Sequence, residues 1–362
     1  MVLSEFKKPS LWFCEKFMKI GKYKLSKKNK PFLIAEISAN HGGSLSSAKE
    51  HILAAKESGA DAVKIQTYTA ETMTINSVKQ DFFIRTGKWK GQSLYSLYKK
   101  AETPYEWHEE LFDYAKKNKI VIFSTPFDET AVDLLQDLKT PAYKVASFEL
   151  TDIPLLKYIS RTKKPILIST GMSTQSEIKN SLKVFKNYSL ENILLFHCIS
   201  EYPANLASSN LGMIKLLKKF GTLVGLSDHT IGNEASIVAT SLGVSAIEKH
   251  FTLSRSNKSE DSSFSTEPKE FKELSNIVQD VFNNLKEKKW VRNEEEKNNK
   301  TFRRSIYFTK DIKKGEIISR ENIRRIRPGM GLKPELFESL LGKKLIKNVK
   351  SGQRVKKCFL KK

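Results

Sequence analysis

VGLSDHT at residues 224–230 is a short apolar run that ends in polar and ionisable side chains, and AIEKHF at 246–251 repeats the design. Runs of this length, rich in Val, Ile and Leu, read as strands buried on both faces of a parallel sheet. Toward the N-terminus the same kind of run recurs as FLIAE (32–36), AVKIQT (62–67), VIFSTP (121–126), AYKVAS (142–147), PILIST (165–170) and ILLFHCIS (193–200). Helical patterns fill the gaps; SSAKEHILAAKESG (46–59) closes on Gly59, a residue suited to end a helix. Eight strand–helix units over roughly 270 residues make a (β/α)8 barrel of the α/β class, whose active site lies at the C-terminal ends of the strands. That end gathers Glu36, Lys64, Gln66, Thr125, Lys144, Ser147, Ser169, Ser200, Ser227, His229, Glu248 and His250. Polar residues scattered through a core would not align on one rim, so the pattern points to an enzyme.

The chain of 362 residues is long enough for this barrel, expected over 18–287, and a second small unit. The charged stretch KEKKWVRNEEEKNNK (286–300) reads as an exposed linker, placed at 288–300. From 301 to 362 short β-prone runs (SIYFT, EIIS, NIRRIRP) alternate with turn signals (KKGE, RPGMG, KSGQ), which suggests a β-rich module docked on a barrel. The opening MVLSEFKKPSLWFCEKF is too polar for a signal peptide, and Met18 begins a second plausible start, so residues 1–17 are expected to be a disordered extension. No apolar stretch approaches the ~18 residues that span a bilayer, and no membrane partner is expected.

The formal charge of +23 invites a nucleic-acid reading, but only 11 of the 63 basic residues are Arg and the Lys is spread widely. No nucleic-acid partner is expected; a positive field that draws in an anionic substrate is. Cys14, Cys198 and Cys358 are odd in number and lack metal-ligand spacing, which suits a reducing cytoplasm.

Several rim residues admit two readings each. His229 and His250 end neighbouring strands, where neutral imidazoles can share one divalent ion or serve simply as hydrogen-bonded rim side chains. Lys64 and Lys144 must meet carboxylates such as Glu36, Glu149 or Glu248, or else an anionic ligand. With Thr125, Ser147, Ser169 and Ser227 around them, they describe a phosphate or carboxylate pocket; a Schiff-base aldolase is the rival. Glu36 is either a general acid/base or an ion-pair partner of Lys64. Asp261 reads as a solvated loop residue or as one reaching over the mouth. The long connection after AVKIQT carries Phe82, Phe83, Trp89, Tyr95 and Tyr98, which either cover a sugar ring or pack the loop on the rim. A noncatalytic binding protein is the third class, though it has no need of two ammonium groups and two imidazoles on one rim.

The segments AEISANHGG (35–43), GADAVKIQTYTAETMT (59–74), STPFDETAVDLL (124–135), YKVASFE (143–149), ISTGM (168–172), GLSDHT (225–230) and EKHFTL (248–253) resemble those of the sialic-acid synthase family. RRSIY, KDIKKGE and RPGMG after residue 300 are similar to the antifreeze-like (SAF) domain that follows the barrel there. Within the family, LYSLYKKAETPYEWH (94–108) and DSSFSTEPKEF (261–271) are most similar to blocks of pseudaminic acid synthases. N-acetylneuraminate synthases carry an Asn where CISEYP (198–203) has Ser200, which argues for a 6-deoxy acceptor.

The resemblance implies a condensation of phosphoenolpyruvate with an open-chain amino sugar, 2,4-diacetamido-2,4,6-trideoxy-L-altrose, and water. C–O cleavage releases phosphate and leaves a nonulosonic acid. Legionaminate or N-acetylneuraminate synthesis by the same chemistry is the alternative. The resemblance also implies roles for residues. His229 and His250 would hold Mn2+ or Mg2+, and Glu36 would act at the reacting centre. Lys64, Gln66, Thr125, Lys144, Ser147, Ser169 and Ser227 would line the phosphoenolpyruvate site. Glu149, Ser200, Tyr202, Glu248 and Asp261 would face the sugar. Arg327 would reach a partner's site from the SAF domain of a homodimer.

Overall fold

A computed structural model describes residues 17–286, 290 and 292–360, so residues 1–16 of the expected N-terminal extension lie outside the described residues. The chain divides into two compact units, residues 1–287 and 288–362.

The first unit holds an antiparallel hairpin, β1 (Met18–Ile20) and β2 (Tyr23–Leu25), followed by eight parallel strands. These are β3 (Phe32–Glu36), β4 (Ala62–Thr67), β5 (Val121–Pro126), β6 (Tyr143–Val145), β7 (Ile166–Ser169), β8 (Ile193–His197), β9 (Leu223–Asp228) and β10 (Ala246–His250). They close in sequence order, β10 pairing with β3. Strands β3, β4 and β5 match the apolar runs residue for residue. Strands β6, β8 and β9 end sooner than their runs, which leaves Ser147, Ser200 and His229 just beyond the ladder.

Side chains alternate across each strand. Outward residues such as Val63, Tyr143, Ile168 and Leu195 pack under the helices. Inward residues form a separate apolar plug of Phe32, Ile34, Phe123, Leu167, Leu194 and Phe196, sealed at the N-terminal end by Met18, Ile20 and Leu25 of the hairpin. That hairpin has no counterpart in the eight-strand reading, because two three-residue strands carry too little periodicity to register. One turn higher the inward positions switch to Lys64, Thr125, Lys144, Ser169, Ser227 and Glu248, all buried. The barrel is therefore filled below and polar above, and the changeover sets the depth of the site.

Gly225 in β9 lets the layers close: a Cβ there would lie 2.5 Å from Cε1 of Phe196 and 2.8 Å from the carbonyl oxygen of Ala246. The helix Leu45–Glu57 is capped by Ser44 accepting from Ser47 N–H and ends at Gly59 with φ 90°, as its sequence indicates. The long connection after β4 is organised by two short helices, Ala70–Met73 and Leu94–Ala101. The helix Pro268–Lys286 completes the ring on the face of Phe271, Leu274 and Val278.

The second unit begins with a short helix, Glu294–Asn298, inside the charged stretch. It contains β11 (Ser305–Phe308) paired antiparallel with β12 (Ile323–Ile326). EIIS does not form a third strand; Ile317 makes only an isolated bridge to Lys344. The core of Ile306, Phe308, Ile318, Ile323, Phe337 and Val355 is instead tied by single bridges between irregular segments. Arg327 is exposed within this unit.

Gly225→Ala is expected to lower stability by about 1–3 kcal/mol through overpacking, read as a depressed melting temperature with the far-UV spectrum retained.

Candidate active site

Four ionisable groups share the barrel interior at the C-terminal end. Lys64 Nζ lies 2.7 Å from Glu36 Oε2 and 3.8 Å from Glu248 Oε2, and donates to Thr125 Oγ1 at 3.1 Å. Lys144 Nζ lies 3.7 Å from Glu248 Oε1, donates to Ser169 Oγ at 2.7 Å and sits 5.3 Å above the Phe196 ring. Ser227 donates to Glu248 Oε1 at 2.9 Å, and Gln66 Nε2 to Glu36 Oε1 at 3.2 Å. Glu36 is thus the ion-pair partner of Lys64, on the rim.

Burial acts unequally on the four. It drives the Glu36 carboxyl well above the usual range, against the pull of Lys64. It would raise Glu248 too, but the Lys144 and Lys64 ammonium groups hold that carboxylate down. Lys64 is kept charged despite its burial by Glu248 and Glu36, while burial lowers Lys144. The cluster thus holds two ammonium groups against one firmly ionised carboxylate and one poised near neutrality. The cluster is therefore short of one negative charge.

Above this floor the imidazoles of His229 and His250 stand with ring centroids 5.5 Å apart. His229 Nδ1 is engaged by the Ile199 carbonyl oxygen at 2.7 Å, which leaves Nε2 facing Ser227 Oγ at 3.4 Å. His250 Nδ1 is buried without a hydrogen-bond partner, 3.7 Å from Asp261 Oδ2. Burial lowers His229 to about 4 and His250 to about 3, so both rings are neutral at pH 7, the state that ligates a cation. An orphaned buried nitrogen beside a second neutral ring fits a divalent ion. Among the described residues no group of three or more His, Cys, Asp or Glu gathers at metal-ligand spacing, so the remaining positions would fall to water or substrate.

The outer wall comes from loops. The Tyr202 ring lies 4.4 Å from that of His229, 5.4 Å from Phe264 and 6.4 Å from Trp89. Trp89 Nε1 donates to Glu260 Oε2 at 3.1 Å and Lys88 Nζ to Ser263 Oγ at 3.0 Å, which lays the long connection over the loop after β10. Of the five aromatics singled out in that connection, Trp89 reaches the wall; Tyr95 instead donates to Glu71 and Tyr98 packs edge-on to Tyr68. Ser147 Oγ and Ser200 Oγ are 2.9 Å apart beneath Gly171, where a Cβ would lie 2.3 Å from Ser200 Oγ. Glu149 is pushed up to about 7 by burial, and its Oε2 has no partner.

Asp261 is buried, not solvated as a loop aspartate in a Ser-rich stretch would suggest. The turn 38–41 accounts for this. Ser38 and the Ala39 N–H hydrogen-bond Asp261, opposing the upward effect of burial on its pKa. Asn40 Nδ2 donates to Phe251 O and to Ser265 Oγ, both at 2.9 Å, while its Oδ1 accepts from Ser259 Oγ at 2.7 Å. Neither Asn40 nor Phe264 stood out in the sequence, since loop residues share no period with the strands. His197 points the other way and meets Ser209 O at 2.7 Å, and Cys198 is a buried free thiol.

A model of the NeuB family matches residues 51–289, and a SAF-domain model matches 303–357. This chain belongs to the NeuB family. It is 44% identical over 340 residues to a pseudaminic acid synthase of Campylobacter jejuni, covering 94% of this chain and 98% of that one. An N,N'-diacetyllegionaminic acid synthase of the same organism is 38% identical over 331 residues, covering 90% of this chain and 99% of that one. Among solved structures, the N-acetylneuraminic acid synthetase of Leptospira borgpetersenii has a TM-score of 0.69 at 29% identity, covering 79% of this chain and 95% of that one.

All six histidines of this NeuB-family chain are held below their ordinary value by burial, His41 and His108 to about 4. In imidazole NMR spectra none is expected to titrate near pH 6.5; a ring protonating there would contradict the packing around it.

Proposed function

We propose that this chain is a pseudaminic acid synthase, condensing phosphoenolpyruvate with 2,4-diacetamido-2,4,6-trideoxy-L-altrose and water to give a nonulosonic acid and phosphate. The observation that carries the reading is the pair of buried lysines left one carboxylate short of neutrality, beneath two neutral imidazoles. The identity to pseudaminic acid synthases, higher than that to the legionaminic acid synthase, supports the choice of acceptor.

In this reading Lys64 and Lys144 bind the phosphate and carboxylate of phosphoenolpyruvate, with Gln66, Thr125, Ser147, Ser169 and Ser227 donating around them. His229 and His250 hold a divalent ion, Mn2+ or Mg2+, which when bound supplies Lewis-acid polarisation to the sugar aldehyde. Tyr202, Ser200, Glu149, Glu248 and Asp261 seat the acceptor so that its aldehyde carbon faces C3 of phosphoenolpyruvate. The C3–C1 bond forms from the enol π electrons as the aldehyde C=O pair moves onto its oxygen, which is protonated to a hydroxyl. Water adds at C2, oriented by Glu36, whose raised pKa suits it to accept a proton near neutrality. The C2 hydroxyl then loses its proton and closes to the ketone as phosphate leaves with the C2–O bond electrons and takes up that proton, and Lys64 and Lys144 stabilise its charge. Much of the rate comes from fixing two substrates in register. Arg327 completes the acceptor site of a partner subunit in a homodimer, and the enzyme works in the cytoplasm.

Phosphate release should require both phosphoenolpyruvate and the L-altrose derivative, cease in EDTA and return with Mn2+. Faster turnover with a mannosamine-series acceptor would overturn the specificity. A borohydride-trapped lysine adduct would instead favour the aldolase.

Lys144→Ala should raise KM for phosphoenolpyruvate by about tenfold or more while moving KM for the sugar little, since a charged hydrogen bond is worth roughly 1.5–3 kcal/mol. Equal changes in both constants would remove Lys144 from the phosphate end.

A further inference from the structure

The opposite end of the barrel is charged in a way the reaction does not use. Residues 17–30 carry six lysines and no carboxylate. The turns leading into β4 to β9 are 56–61, 116–120, 137–140, 161–165, 183–192 and 215–222, and the turn into β10, 241–245, is uncharged. Together with 17–30 they hold 19 basic residues against 4 acidic ones, whereas in the rest of 31–286 acids outnumber bases 25 to 17. A lysine-rich composition raises the charge everywhere; it does not sort it to one end. Cations at helix C-termini answer the helix dipole, but the hairpin lysines belong to no helix.

Three positions add an independent observation. Lys119, Lys139 and Lys163 each follow a helix in the left-handed conformation, with φ 60°, 56° and 56°, and all three are exposed. Glycine is the residue that takes this conformation without strain. The chain uses it at Gly59 and Gly221 but keeps a lysine at these three turns.

We propose that this N-terminal face docks the enzyme on an anionic lipid bilayer, with Lys22, Lys24, Lys27, Lys119, Lys139 and Lys163 against the headgroups. The face offers 18 lysines and a single arginine, Arg161. These are point charges suited to a diffuse anionic surface, not the planar forks that read nucleic acid. Phe17, 39% exposed with Lys24 Nζ 4.9 Å from its ring, sits where the chain enters the face. Basic charge joined to an aromatic anchor such as Phe17 is the pairing that holds a protein on a bilayer without spanning it. A recess beside the hairpin, lined by Lys22, Tyr23, Lys24, Asn29, Lys30 and Asp61, accepts a phosphate headgroup; its one carboxylate, Asp61, is met by Lys30 at 3.6 Å. Docked this way, the C-terminal end of the barrel, which carries the candidate site, points away from the bilayer.

The test is co-sedimentation of the full chain with vesicles of phosphatidylcholine alone or with a third of phosphatidylglycerol. Binding is expected to the anionic vesicles only and to be lost in high salt. The triple variant Lys119→Gly/Lys139→Gly/Lys163→Gly should bind roughly tenfold or more weakly. Its melting temperature should not fall, because glycine fits those turns, and phosphate release in solution should be unchanged. Equal binding to neutral vesicles, no binding to either, or a triple variant that binds like the parent would each overturn the proposal. So would capture of duplex DNA through the same lysines with vesicles left unbound.

Discussion

Two lysines inside a barrel must be balanced, and the balance struck here governs the site. Lys64 and Lys144 stand on strands separated by β5, and Glu248 lies between their ammonium groups at 3.8 and 3.7 Å. Full neutralisation would need Glu36 ionised as well, yet burial opposes that. The site is thus short of a negative charge, and hydroxyls of Thr125, Ser169 and Ser227 hold the groups in place. A buried cluster of this kind contributes little to stability. Its placement depends on the apolar plug of Phe123, Leu167 and Phe196 beneath it, which fixes how deep an anion can sink.

How much of this was legible follows from where each residue stands. Strand-borne groups obey a period of two, so Glu36, Lys64, Lys144, Ser169, Ser227 and Glu248 could be read as one inward-facing rim from spacing alone. The structure brings them together as that reading requires. Loop-borne groups have no such period. Asp261 looked solvated because its neighbours are serines; in the fold those serines are spent on Asn40 and on the loop's own backbone, as Ser259 and Ser265 show. EIIS looked like a strand because its residues favour extended backbone, but in so small a unit Ile317 finds one bridging partner and no ladder. The β1–β2 hairpin escaped notice for the opposite reason, its lysines masking three residues that pack completely.

The division between strands and loops is also a division of labour. The floor that would bind the smaller, charged substrate rests on the ladder and moves only if the barrel moves. The wall that would meet the sugar is assembled from Trp89, Ser147, Ser200, Tyr202 and Phe264, on the connections after β4, β6, β8 and β10. Contacts such as Trp89 to Glu260 and Asn40 to Ser265 stitch those connections to one another more than to the barrel. An acceptor of different shape can then be accommodated by changing loop side chains while the floor stays as it is. NeuB-family relatives that differ in the sugar their names carry align along nearly the whole chain, as such a division would allow. The acceptor is a question for the wall, and the wall is where sequence periodicity is silent.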